Sequence, residues 1–356
     1  MQISTSPAEF ASRYNVGMEA KRSNKRVFLI GAGVSASCGL AVARTLLKEC
    51  LCELARSDSS KLRKVHKLLA YLYPSFDSDL RNYPNIEDFL NLLQMAKTFN
   101  TEDFIESSLW PIAKLQEVHD VTLKAVTDYL WSKMSGGVSS AAIECFARDH
   151  LRLTDTVITF NWDITLENAL TKRYGDFEIV HTSSRKKRLS KHILILKPHG
   201  SIDWYRRSEL SPAVLEVCGR LDSKYVNFTE TNFSNYPDMG ALQPLIVPPL
   251  ASKEFKPDIL KRTWRGVYRT ISNATELVVI GYSLPKEDQF ARLVLKRALR
   301  SNMLKHQRGI KGKLLIQVIN PDESVAVTFT QTVSPAVTVR YAQATFEDYV
   351  NWLEAE

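Results

Sequence analysis

The sequence predicts an α/β protein: a doubly wound, mostly parallel sheet with an inserted helical domain. Short, almost purely apolar runs recur between longer amphipathic stretches, the pattern of strands buried on both faces and separated by covering helices. A long middle region holds helical periodicity with little strand signal, which predicts the insertion. With 356 residues, 44% of them hydrophobic, the chain has material for a core of that size.

Taken in order, Ser6 as cap, Pro7 at the first helical position and Glu9 closing a capping box predict a short helix within an N-terminal arm, residues 1–25. "RVFLIG" from Arg26 is a strand, followed by a helix through about Leu54 that carries Leu40, Leu46 and Leu47. Residues 57–149 form the helical insertion, with "KLRKVHKLLAYLY" and "NIEDFLNLLQMAKTF", the second capped at Asn85 with Asp88 three positions on. The sheet domain is thus assembled from 26–56 and 150–356. Its further strands are expected at 155–160, 177–180, 192–197, 245–248, 276–281, 314–320 and 336–341. Helices are expected at 163–174, 257–272, 287–300 and 346–355, and residues 215–240 read as an irregular excursion.

Composition narrows the function classes. No apolar run reaches the length of a membrane span and the N-terminus has no secretion-signal pattern, so a cytoplasmic protein without membrane association is expected. The five cysteines are scattered, with no paired CxxC, which fits a reducing compartment and predicts no metal site. His181, His192 and His306 lack paired spacing and read as surface or structural residues. The net charge of +8 is concentrated in 291–313, with eight Lys or Arg and no acid, and in the run 184–191. These read first as a solvated helix face and a loop, and second as a surface for phosphates, an acidic partner or nucleic acid. No interleaved aromatics accompany them, which keeps nucleic acid secondary.

The chemistry gathers at strand ends, where ligands bind in sheets of this kind. Gly31 and Gly33, with Ala36, follow the first strand and open a helix, so that bare backbone N–H groups could meet a pyrophosphate. Alone this is a weak signal, and the acidic residue a dehydrogenase needs about 20 positions on is missing, since Glu53 lies inside a helix. Later strands end with Asn161 and Asp163, with His199, Gly200 and Ser201, with Gly281 and Ser283, and with Asn320. Helix capping competes as a reading for Asp163 and for Ser283, where Pro285 suggests a helix start. Asp288 reads as a first-turn carboxylate favoured by the helix dipole, Trp162 and Trp204 as core aromatics, and Asp203 as a polar neighbour of His199.

In this order GAGVS, TFNWD, KPHGS, VVIGYSL and VIN resemble the sirtuin-like NAD-binding family, over residues 26–44 and 155–325. The resemblance implies a Rossmann-like fold and the use of NAD+. It assigns phosphate and ribose contacts to Gly31, Ala32, Gly33 and Ser35, nicotinamide binding to Asp163, and the adenosine side to Gly281, Ser283 and Asn320. Asn161 matches the asparagine beside the reacting ribose, and His199 the catalytic histidine. Two departures set the chemistry: "CGLAVARTLL" stands where the protein deacylases carry a GIPDFR-like segment, and only Cys218 follows the HG motif, where they carry a four-cysteine zinc module.

What remains is similar to the bacterial branch that hydrolyses NAD+ to nicotinamide and ADP-ribose, often as an effector of anti-phage abortive infection. That likeness implies a restrained homo-oligomer, working with a HerA-type ATPase or another defence protein. Few groups suffice for the reaction, because the cationic nicotinamide leaves as a neutral base: Asn161 orients water or a ribose hydroxyl, His199 accepts a proton and Asp163 holds the carboxamide. A nucleotide-sensing binding module stays open as an alternative, as do ADP-ribosyl transfer and protein deacylation.

Overall fold

The computed structural model describes residues 2–3, 25–79, 82–99, 108–174, 179–180, 193–207, 217–218, 242–248, 258–333 and 337–355. The expected helix at Ser6, the basic run 184–191, His181, His192 and most of 215–240 lie outside the described residues.

Among the described residues eight strands form one wholly parallel sheet: β1 (Gln2–Ile3), β2 (Arg26–Ile30), β3 (Thr156–Thr159), β4 (Ile179–Val180), β5 (Ile193–Leu196), β9 (Glu276–Ile280), β10 (Leu315–Ile319) and β11 (Thr338–Ala342). Their spatial order is β1-β11-β10-β9-β2-β3-β5-β4. The chain winds outward from β2 in one direction through β3 and β5, and from β9 in the other through β10 and β11. The switch point therefore falls between β2 and β9, whose last residues Ile30 and Ile280 are in register.

Alternation along the strands builds two cores, as a period of two requires. Val27, Leu29, Leu277, Val279, Ile316 and Val318 face one layer, made of α8 (Asp258–Asn273), α9 (Gln289–Gln307) and α10 (Glu323–Thr332). Phe28, Ile30, Val278, Ile280, Val157 and Ile195 face the other, made of α1 (Ala32–Ala36), α6 (Ala141–Cys145) with its π-helical continuation Phe146–His150, α7 (Thr165–Tyr174) and α11 (Phe346–Glu354). The doubly wound α/β expectation thus stands in the backbone and in the packing.

A third core belongs to α2 (Ala43–Ser57), α3 (Ser59–Leu72), α4 (Ile86–Thr98) and α5 (Ile112–Ser135). Asn85 caps α4 as expected, accepting from the Glu87 N–H. This helical core reaches the sheet domain at Ile164, Ile202, Ile246 and Trp162, all close in sequence to the strand ends that carry the polar residues. None of the helices is long and apolar enough to cross a membrane among the described residues.

One expectation is corrected. Residues 245–248 do not extend the parallel sheet: β8 (Leu242–Ile246) pairs antiparallel with β6 (Gly200–Arg207), which also pairs with β7 (Val217–Cys218). Gly200 makes this second sheet feasible. Its φ is 76°, and a Cβ there would lie 1.9 Å from the Leu245 carbonyl oxygen, so only glycine lets β6 leave β5 and run against β8.

Candidate active site

The expected site residues stand at the carboxyl ends of five adjacent strands, in the order β10, β9, β2, β3, β5. At the switch point the two glycine turns pack backbone on backbone. Gly31 N–H donates to Ile280 O at 3.1 Å, and Gly33 N–H to Gly281 O at 3.0 Å. The closeness these glycines permit is used by the β9 turn, and their N–H groups are engaged there. This differs from the expectation that they point at a pyrophosphate.

A Cβ on Gly281, whose φ is 59°, would sit 2.7 Å from Gly33 Cα. Gly281→Ala should therefore destabilise the fold by about 1–3 kcal/mol, read as a lower urea midpoint; an unchanged midpoint would show that the turns can part freely.

Asn161 ties the β3 end to the glycine turn. Its side-chain amide donates to Gly31 O at 3.0 Å and to Ser35 Oγ at 2.8 Å, which leaves Oδ1 as its acceptor. Ser35 Oγ lies 3.4 Å from Thr165 Oγ1, which donates to Asp163 Oδ1 at 2.6 Å. Asp163 also accepts the Thr165 N–H at 3.1 Å, so it caps the start of α7, and both of these bonds fall on Oδ1. Below it, fully buried Lys197 donates to Asp163 O at 2.5 Å and to Glu167 Oε1 at 2.6 Å. Burial raises the Glu167 carboxyl above its ordinary value; Lys197 opposes this, while Asp203 and Asp163 add to it.

His199 is buried, with Nε2 2.5 Å from Asp288 Oδ2. Its ring meets Phe160 edge-on at 4.9 Å, and Phe160 stacks flat on Tyr282 at 4.3 Å. Asp288 does two things: Oδ1 caps α9 by accepting the Ala291 N–H at 3.1 Å, and Oδ2 faces the imidazole. The helix start suggested for Ser283 is thereby corrected, since Asp288 is the cap and Ser283 is exposed. Between them Leu284 has φ 51°, a conformation that costs a non-glycine residue about 1–3 kcal/mol. Its carbonyl accepts from Arg292 Nη1 at 2.9 Å.

Asn320 lies farther out, accepting the Asp322 N–H at 2.9 Å and donating its own N–H to Ala342 O. The pairing of Asp288 with His199 is the functional feature that sequence reasoning missed. Its only signal was a carboxylate shortly after a strand-end glycine.

The site's polar groups fit a polar ligand. Trp162 Nε1, Asp203 Oδ1 and Tyr282 Oη are buried without hydrogen-bond partners among the described residues. Each such group costs about 1–3 kcal/mol unless a ligand or water pairs with it. Burial, with Asp288 and Glu87 adding to it, holds the Tyr282 phenol well above its ordinary value. Glu87 belongs to α4, so the helical region reaches the site electrostatically as well as by packing. A cavity of about 270 Å³ lined by Lys25, Arg26, Thr156 and Arg269 lies at the opposite, amino edge of the sheet and contains none of these residues.

No curated protein matches the chain. Among solved structures, it is similar to a mutant Sir2 homologue in complex with ADP-ribose, at 16% identity over 94% of this chain and 93% of that one, with a TM-score of 0.43. It is also similar to a structure described as the structural basis for sirtuin substrate affinity, at 13% identity over 99% and 98%, with a TM-score of 0.43. The model of the SIR2-like domain matches residues 155–324, and the chain thus carries a SIR2-like region that holds Asn161, Asp163, His199, Gly281, Ser283 and Asn320.

Proposed function

We propose that the protein hydrolyses NAD+ at the nicotinamide–ribose bond, releasing nicotinamide and ADP-ribose. The observation that carries this reading is the buried His199–Asp288 pair, at the end of the strand next to the one that ends in Asn161 and near the sheet's switch point. Asp288 Oδ2 lies 2.5 Å from Nε2 without hydrogen-bond alignment, and its charge favours a proton on that nitrogen, which leaves the basic lone pair of His199 on Nδ1. Asp288 also stabilises the imidazolium that forms when Nδ1 takes a proton from the attacking water. The water oxygen bonds to the ribose carbon, and the nicotinamide nitrogen leaves with the electron pair of the broken bond.

Asn161 Oδ1 orients that water or a ribose hydroxyl, because both amide hydrogens are held by Gly31 and Ser35. The Trp162 indole N–H is a donor suited to a carboxamide oxygen, with Asp163 held next to it by the cap of α7. A sensor that binds without turnover has no use for a paired histidine and aspartate. The SIR2-like match supports NAD+ as the substrate.

The biological role we infer, NAD+ depletion by a restrained homo-oligomer in anti-phage defence with a HerA-type ATPase or other partner, rests on the motif resemblance. Exposed Met95 of α4 and Phe99 just after it, with Leu109 and Ile112, offer apolar surface for self-association.

The test is incubation of the purified chain with NAD+ across a range of protein concentrations, following nicotinamide release and sedimentation together. Release without any acylated peptide, rising as the chain associates, is the expected result. Peptide-dependent consumption would return the protein to the deacylases, and binding without release would make it a sensor.

A further inference from the structure

We propose that Cys145, His150 and Glu354 form a zinc site, its fourth position open to water, that fastens the C-terminal helix α11 to the amino edge of the sheet. Cys145 Sγ, His150 Nε2 and a Glu354 carboxylate oxygen all lie within 4.8 Å of one another, drawn from α6, its π-helical continuation and α11. His150 Nε2 is 3.3 Å from Glu354 Oε1, yet the two are misaligned for a hydrogen bond, and the buried nitrogen is left without one among the described residues. The Cys145 thiol donates to Asp149 Oδ2 at 3.8 Å, and binding a cation would release that proton.

The His150–Glu354 spacing matches an edge of a coordination tetrahedron, with Cys145 Sγ close by. Zinc bonds of about 2.0–2.1 Å to nitrogen or oxygen and about 2.3 Å to sulfur place N and O ligands about 3.3 Å apart, and S and O ligands about 3.5 Å apart. His150 Nε2 and Glu354 Oε1 stand at that distance without a hydrogen bond between them, an arrangement that a shared cation would satisfy.

The donor set selects the ion. A thiol, an imidazole and a carboxylate suit zinc, whereas magnesium and calcium take all-oxygen shells. Local backbone explains how the ligands meet. Over Phe146–His150 the helix widens to a π turn, closed by Leu151 N–H on Phe146 O at 3.1 Å, and this carries His150 toward Cys145. The His150 carbonyl accepts from Arg26 Nη2 at 2.7 Å, which fixes the peptide bearing the imidazole. Arg148 reaches Asp149 Oδ2 at 2.7 Å and fixes that carboxylate as the acceptor facing the Cys145 thiol, outside the ligand set.

Arg26 opens β2 and Gly31 follows its end, so the cluster and the His199 site lie at opposite edges of the sheet. The ion is structural and takes no part in the proposed hydrolysis. Its ligands also differ in kind and place from a four-cysteine module after the HG motif.

The experiment uses the untagged full-length chain, reconstituted with zinc and desalted. About one zinc ion per chain is expected, with at least a tenfold loss of bound zinc in Cys145→Ser and in Glu354→Gln. Glu354 is half exposed, so its variant folds independently of the outcome, and circular dichroism checks both. Cobalt(II) in place of zinc should give a thiolate-to-cobalt charge-transfer band that Cys145→Ser abolishes. Absence of bound zinc in the folded parent, full retention of zinc in both folded variants, or cobalt binding without the thiolate band would each overturn the assignment.

Discussion

His199→Ala should lower nicotinamide release about 10²–10⁴-fold in protein that circular dichroism shows to be folded, the loss of the buried ring facing the Asp288 carboxylate costing stability as well. The loss should fall on kcat, because the imidazole acts on the water that attacks and not on the bulk of the substrate. Asp288→Asn is the sharper variant. Its amide oxygen can still accept the Ala291 N–H and cap α9, so the helix start is preserved while the charge facing Nε2 is removed. A fall in kcat with little change in KM is expected there too. Asn161→Ala, which cuts the ties to Gly31 and Ser35, should also abolish release. Turnover at the parental rate in folded His199→Ala or Asn161→Ala protein would remove these residues from the mechanism.

Lys197→Met should cost about 3–5 kcal/mol of folding free energy, the largest stability effect of any single change near the site. Its ammonium is fully buried and bonds both the Asp163 carbonyl and the Glu167 carboxylate. Removing it strands a carboxylate among two others, Asp163 and Asp203. Glu167→Leu in the same chain should recover part of the loss, because an apolar pair leaves no charge unpaired.

The pH dependence has a definite sign. Burial holds Glu167 above its ordinary value in the folded state, so folding favours its protonated form. That contribution is lost as the pH rises from the ordinary carboxylate range through the raised folded value. Urea unfolding of the parent and of both variants measures all of this; a single Lys197→Met variant within about 1 kcal/mol of the parent would show that the cluster relaxes or takes in water.

How much was legible depended on whether the signal was local. The strands β2, β3, β5, β9 and β10 announce themselves as apolar runs because both faces are covered, and α4 announces itself through Asn85. The second sheet did not, since "GSIDWYRR" is polar and its direction is set by one positive-φ glycine meeting a distant carbonyl. Likewise His199 was visible as a strand-end histidine, but its partner was not: Asp288 looks like any cap until the fold sets it against the ring. Gly31 and Gly33 were visible as a tight turn, and what they approach, the β9 turn, was not. Cys145, His150 and Glu354 have no sequence spacing that links them, because a π turn and the return of the last helix bring them together.

The double duty of Asp288 sets a mechanical tolerance on the molecule. Helix α9 is held at its first turn by that carboxylate and, several turns on, by Asn302, which donates to Ile271 O at 2.7 Å and to Ala274 O at 2.8 Å. A rod pinned at both ends cannot slide. A slip of a single residue along the axis would carry the carboxylate about 1.5 Å, enough to break a contact of 2.5 Å to the imidazole. Insertions or deletions between Asp288 and Asn302 should therefore be far less tolerated than changes of side chain on the solvent side of the same helix.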